Sequence, residues 1–229
     1  MTEPVDMHQT ATETGRGVPD AELLIAPGCA HCAAVLTALT DLVKRGDLGR
    51  LNVVHLGAHP EAAAAVGARS VPWIRIGPFE LAGAHTQGEL RGWARRAGTP
   101  EGLRAYLLGQ LQSGQLDHAI SACRREPAFL TPLLSLSADL DTPFAVRIGV
   151  GAILEDLAPD GLLRGLVDAI EERLARSPHA QVRADAAHFL GLTGAPGALP
   201  ALRRLSDDEN GDVREIAQEA MTALDKSAR

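Results

Sequence analysis

The stretch Glu22-Leu23-Leu24-Ile25-Ala26-Pro27-Gly28-Cys29-Ala30-His31-Cys32 joins a short apolar run to two cysteines spaced C-x-x-C. Glu22–Ala26 reads as a short buried strand. Val35, Leu36, Leu39, Leu42 and Val43 then recur at helical spacing, so Ala30–Lys44 reads as a helix. The cysteine pair therefore falls at the leading end of a helix. Unpaired N–H groups and the helix dipole favour negative charge there. A thiol so placed ionises below the free value of about 8.5, and the thiolate is the species that attacks a disulfide. Cys29 is the candidate nucleophile; Cys32, one turn later, is the candidate resolving thiol. The spacing alone leaves two other readings open: half of a zinc site, or two packed and inert cysteines. Zinc normally takes four ligands, and Cys123, His31, His55, His59 and His85 stand at no recognisable zinc spacing.

Outward from this stretch, residues 21–98 alternate strand-like and helix-like segments. Leu51–Leu56 reads as a strand and Pro60–Val66 as a short Ala-rich helix with Pro60 as its first residue. Trp73–Ile76 and Phe79–Ala82 read as strands joined by the turn Gly77-Pro78. Thr86-Gln87-Gly88-Glu89 is a capping box opening a helix to about Ala97. The order is β-α-β-α-β-β-α.

Residues 99–229 change period, with Gly98-Thr99-Pro100 as the boundary. Strand signals vanish, and three segments align on a Val-Arg pair: Val146-Arg147, Val182-Arg183 and Val213-Arg214. Positions 4, 7 and 8 beyond each Val are Val150, Ile153, Leu154; Ala186, Phe189, Leu190; and Ala217, Ala220, Met221, each set on one helix face. Leu-rich helices, Leu162–Leu174 and Ala198–Leu205, precede the second and third copies, and Pro127–Leu140 supplies the first. Spacings of 36 and 31 residues predict stacked helix pairs that bury a core between neighbours. Glu101–Arg125 reads as an additional pair bridging the two domains.

The 229 residues suffice for two small domains, and the net charge is −7. The acidity lies in residues 100–229, which hold 19 acids and 13 bases. With no basic patch, nucleic acid is not expected as a partner. No apolar run reaches the length of a membrane span. Residues 1–20 are polar and Thr-rich, lack the pattern of a signal peptide, and read as a flexible tail on a cytoplasmic protein. Three cysteines do not make a disulfide-stapled secreted scaffold.

Residues 21–97 resemble the thioredoxin superfamily. The resemblance is carried by Cys29-Ala30-His31-Cys32 after a strand, Leu51-Asn52-Val53-Val54, Gly67-Ala68-Arg69-Ser70-Val71-Pro72, the hairpin to Leu81, and Gly83-Ala84 before the last helix. It implies a minimal α/β thioredoxin-like domain in which Pro72 is cis and faces the cysteines. It also implies that the backbone of Val71 pairs with an extended substrate peptide. In this family a histidine at the place of His31 stabilises the thiolate and makes the disulfide more oxidising. Three departures stand out. No extra strand and helix precede Glu22; Gly28 replaces a Trp; and Leu23 replaces the buried Asp that helps deprotonate the resolving cysteine. The other singled-out residues read as structural: Trp73 and Trp93 as packing, His55 and His59 as loop residues, His85 as a surface side chain, and Cys123 as a small buried apolar residue.

The helical half resembles short bacterial HEAT-like repeats, on the pattern Asp/Gln-Val-Arg-x-x-Ala that is clearest at Ser206–Arg214. The resemblance implies an all-α domain that presents a surface to a protein partner. Arg147, Arg183 and Arg214 are expected to pair with acids on neighbouring turns and support stacking. Together these readings point to a thiol–disulfide oxidoreductase acting on a protein disulfide, with Cys29 and Cys32 as catalytic residues, His31 tuning them, and Val71 and Pro72 binding substrate. Neither a cofactor nor a metal is expected beyond the Cys29–Cys32 pair. The competing reading is a redox-sensing or metal-binding interaction scaffold without turnover.

Overall fold

Strand β1 (Ala21–Ile25) is buried along most of its length, as its apolar run requires. It pairs in parallel with β2 (Leu51–His55), Leu23 opposite Val53. The crossover between them is helix α1 (Cys32–Lys44), whose Val35, Ala38, Leu39 and Leu42 are buried. The computed structural model describes residues 17–227, so most of the expected N-terminal tail, residues 1–16, lies outside the described residues. After the short helix α2 (Glu61–Ala65) come β3 (Trp73–Ile76) and β4 (Phe79–Ala82). The four strands form one sheet in the order β2-β1-β3-β4. Strand β2 is an edge strand with three of its five residues open to solvent, Val53 among them. Pro60 is the N-cap of α2 rather than its first residue.

Helix α3 (Gln87–Arg96) opens with the expected capping box. Glu89 accepts from the Thr86 backbone N–H at 2.7 Å, and the Glu89 N–H donates to Thr86 Oγ1 at 3.3 Å. Those bonds from Thr86, backbone first and then hydroxyl, hold the Glu89 carboxyl below the usual glutamate range.

Internal contacts divide the chain into two units. Residues up to Ile74 with Ala82–Ala94 form the first; Arg75–Leu81 with residues from Arg95 onward form the second. In the second unit, α4 (Pro100–Gln112) and α5 (Leu116–Arg125) reach the strand residues Phe79 and Glu80 through Tyr106 and Arg125. Although aromatics are few, three of them meet: Phe79 lies 5.3 Å from Tyr106, and Tyr106 lies 5.6 Å from Phe129. The Tyr106 hydroxyl donates to the Glu80 carbonyl at 3.3 Å, and burial pushes its pKa up to about 12. Arg125 holds the Glu80 carboxylate at 3.0 Å.

The rest of the unit is helix pairs: α6 (Leu130–Ala138) with α7 (Phe144–Leu157), then a second pair ending in α9 (Ala180–Leu192), then α10 (Leu199–Leu205) with α11 (Gly211–Ser227). Each set of apolar residues following a Val-Arg pair faces the core, apart from Met221 at the last position, which is half-buried. The expected helix Leu162–Leu174 is not continuous. It runs as a 3₁₀ turn (Arg164–Leu166), helix α8 (Val167–Ile170) and a π turn (Glu171–Ala175). Its buried residues Leu163, Leu166, Ile170 and Leu174 are spaced three, four and four apart. The winding tightens for the first spacing and widens after Ile170, which turns all four inward.

The arginines form a directional ladder. Arg147 reaches Asp185 of the next repeat at 2.6 Å, and Arg183 reaches Asp208 of the next at 2.7 and 2.9 Å. Arg183 also donates to the carbonyls of Ser177 and Pro178, in the loop before its own helix. Arg214, in the last copy, departs from the expectation: among the described residues its guanidinium donates to the loop carbonyls of Asp208 and Glu209. It donates to the same type of loop acceptor as Arg183, but it stands in the last of the three aligned helices.

The side chains of Arg183 and Asp208 are 11% and 9% exposed, so this pair has more to lose than a surface bridge. Replacing Asp208 with Asn should cost about 2 kcal/mol, since Arg183 keeps its carbonyls and Glu209. The Arg183 hydrogen bonds hold the Asp208 carboxyl below its ordinary value. The stabilisation is therefore fully present above the ordinary aspartate pKa and is lost as pH falls through the depressed one. Urea unfolding at pH 7 should separate the two proteins, and the difference should shrink at strongly acidic pH.

Candidate functional site

The path from β1 to α1 sets the geometry of the cysteine pair. Gly28 carries φ 74°, a conformation strained for any residue with a side chain. That is a local reason for Gly at the position where the thioredoxin resemblance would call for Trp. The chain then turns, with the Cys29 N–H donating to the Ala26 carbonyl at 3.4 Å. Helix α1 begins at Cys32, two residues later than expected, with His31 as N-cap. The first bond of the helix runs from the Val35 N–H to the His31 carbonyl, so the N–H groups of residues 32–34 form the open end beside the pair.

Cys29 and Cys32 are joined in a disulfide with Cα atoms 5.5 Å apart. The two cysteines differ in exposure as residues: Cys32 is 6% exposed, while Cys29 is half-buried. His31 is exposed and makes no side-chain cap bond to the helix.

Val71 and Pro72 precede β3, the strand next to β1 in the sheet. The Val71–Pro72 peptide bond is cis, the isomer the resemblance implies. Val71 is half-buried and Pro72 buried, and the Pro72 carbonyl accepts from the Gly83 N–H at 2.9 Å. The two segments expected to form the site therefore follow one strand and precede its neighbour. Leu23, where the thioredoxin resemblance would call for a buried Asp, is fully buried in β1 and brings no carboxylate.

Of the other residues, Trp73 is buried as expected, whereas Trp93 is only half-buried. His55 Nδ1 accepts from the Gly57 N–H at 3.1 Å, and His59 lies 3.3 Å from Glu61. His55 is the last residue of β2 rather than a loop residue, whereas His59 lies in the loop after it, as expected. His85 is only part exposed, and its Nε2 has no hydrogen-bond partner among the described residues. It lines a cleft of about 450 Å³ together with Ala34, Thr37, Ala38 and Asp41 of α1, which follow Cys32 along the helix. Cys123 is fully buried, and burial alone pushes its thiol up to about 12. Among the described residues, no group of three or more His, Cys, Asp and Glu side chains is placed to hold a metal ion. No described helix is long and apolar enough to cross a membrane.

The helical unit carries a feature that the repeat pattern did not single out. Phe144 and Ile148 of α7 are 69% and 57% exposed. Their signal in the sequence is that they fall outside the positions 0, 4, 7 and 8 that face the core.

Comparison with known families places residues 130–222 with the HEAT repeats. That span runs from α6 into α11 and covers the three aligned Val-Arg copies. It does not extend to the cysteine-bearing part of the chain. No curated protein matches the chain.

Proposed function

We propose that this protein is a cytoplasmic thiol–disulfide oxidoreductase that acts on a protein disulfide, with its HEAT-like repeats recruiting or positioning the partner. One observation carries the reading: the cysteines are bonded to each other at the open end of α1 with unequal access to solvent. The element order β-α-β-α-β-β-α, as expected for a thioredoxin-like domain, supports it.

The chemistry follows from that asymmetry. In the reduced pair, the Cys29 thiolate attacks one sulfur of a substrate disulfide. A Cys29–substrate disulfide forms and the first substrate sulfur leaves as a thiolate, taking up a proton. Cys32, already within bonding reach, loses its proton and attacks the Cys29 sulfur. The Cys29–Cys32 disulfide reforms and the second substrate thiolate leaves. Two electrons have passed from the pair to the substrate, and an external thiol reductant restores the pair. Leu23 offers no base to Cys32, so solvent or the departing substrate thiolate takes its proton. His31, exposed and adjacent, serves the Cys29 thiolate as an N–H donor or imidazolium. The backbone of Val71 offers the strand-addition contact for a substrate peptide.

The reading is tested by reducing the protein, following alkylation of Cys29 against pH and equilibrating the pair with thiol buffers. Cys29 should titrate below about 8.5. The potential should fall between about −270 mV, for a reductant, and about −120 mV, for an oxidant. A thiol titrating at 8.5 or above, with no turnover of a protein disulfide, would leave the scaffold reading in its place.

A further inference from the structure

The aligned second helices α7, α9 and α11 differ on the side turned away from the core. Two positions beyond each Val stand Ile148, Ala184 and Glu215; six beyond stand Ala152, His188 and Glu219. The same row of the stack thus changes from apolar to acidic over three helices. At its apolar end, Phe144 and Ile148 are 69% and 57% exposed, one helical turn apart. With Gly151 and Ala152 they border a groove of about 300 Å³ whose far wall is Gln181, Asp185 and His188 of α9. Large apolar side chains left open beside a groove mark a contact surface. At the acidic end, Glu215 and Glu219 are exposed. The arginines of the row are committed elsewhere: Arg147 to Asp185, Arg183 to Asp208, and Arg214 to loop carbonyls.

We propose that this row docks a basic amphipathic helix of a protein partner. The helix places apolar residues, three or four apart, against Phe144 and Ile148, and its Lys and Arg residues over Glu215 and Glu219. Charge selects the occupant, because a partner facing this row meets carboxylates at its second end. Size agrees with a single helix. Two interhelical steps of 8–10 Å separate α7 from α11, roughly 16–20 Å, which a helix covers in about 11–13 residues. Recognition of an amphipathic helix by an apolar groove with a charged rim is a recurring mode. The proposal rests on the reading of the repeats as a recruiting unit and is independent of the thiol chemistry.

The test uses the full oxidised chain and three fluorescent 16-residue peptides. One carries Leu residues at helical spacing in one half and Lys and Arg in the other; one is its scrambled isomer; one carries Glu in place of the bases. The patterned basic peptide should bind at least about tenfold more tightly than either control. A double substitution Phe144→Ser/Ile148→Ser should weaken it about tenfold, as should Glu215→Gln/Glu219→Gln. All of these residues are exposed, and circular dichroism of each variant checks that it keeps its helical content. Equal binding of the three peptides, or tight binding unchanged in both variants, overturns the proposal. So does a concentration-dependent dimer that Phe144→Ser/Ile148→Ser dissociates, because a second copy would then be the occupant. Cys29→Ser should leave peptide binding intact, so loss of exchange activity and loss of docking are read separately.

Discussion

Cys29→Ser should abolish reduction of a protein disulfide, a loss of roughly a thousandfold or more, whereas Cys32→Ser should arrest the reaction half-way with substrate attached. The difference comes from access. Under the proposed mechanism a substrate sulfur should reach Cys29, which is half-buried, and not Cys32, which is 6% exposed. Without Cys29 there is no accessible nucleophile on the pair. Without Cys32 the first attack still occurs, but nothing within the chain releases the mixed disulfide. The measurement is insulin reduction with dithiothreitol for turnover, and mass spectrometry of Cys32→Ser for a covalent adduct on Cys29. Equal activity of Cys29→Ser and the parent chain, or adducts on Cys123, would remove the pair from the chemistry. Cys123 itself is fully buried with its thiol pushed up to about 12, so Cys123→Ala should leave turnover unchanged.

Gly102→Ala should destabilise the second unit by about 3 kcal/mol, although Ala normally favours a helix over Gly by about 1 kcal/mol. Gly102 lies in the first turn of α4, where its N–H caps onto Thr99 Oγ1 at 3.0 Å. An added Cβ would strike the Arg96 carbonyl and would stand 2.7 Å from Arg96 Cβ and 2.9 Å from Thr99 Oγ1. The obstacle is backbone, which cannot rotate aside, so the passage from α3 to α4 would have to open. Gly109 of the same helix supplies the control. It is exposed, with nothing within 4 Å of an added Cβ. Gly109→Ala should therefore stabilise by up to about 1 kcal/mol. Urea titration of the two variants should give opposite signs; two shifts of the same sign would refute the steric account.

Much of residues 21–98 was legible in the sequence because the signals there are local. The capping box Thr86–Glu89 names its own partners, and Trp73–Ile76 and Phe79–Ala82 are bounded by a turn that can be read directly. The cysteine pair announced itself by spacing. What stayed hidden depends on contacts distant in the chain. Nothing near Phe79 indicates that Tyr106 and Phe129 will join it, or that residues 75–81 will count with the helical unit. The Leu162–Leu174 segment kept its apolar residues at helical intervals, but the winding that accommodates them changes twice, which periodicity does not register. The ladder from Arg147 to Asp185 and from Arg183 to Asp208 joins residues 38 and 25 apart, so each acid's identity emerged only from the stacking. The cleft beside His85 likewise needs α1 and the loop before α3 to approach each other.

The burial of Cys123 gives the chain an internal gauge of its own integrity. Before reduction, a thiol reagent finds no reactive sulfur on the folded protein; after reduction it finds the Cys29–Cys32 pair. A third modification is registered only when α5 separates from its neighbours. Slow labelling at residue 123 thus times the breathing of the helical half, in the same tube and with the same reagent that reads the redox state of the other.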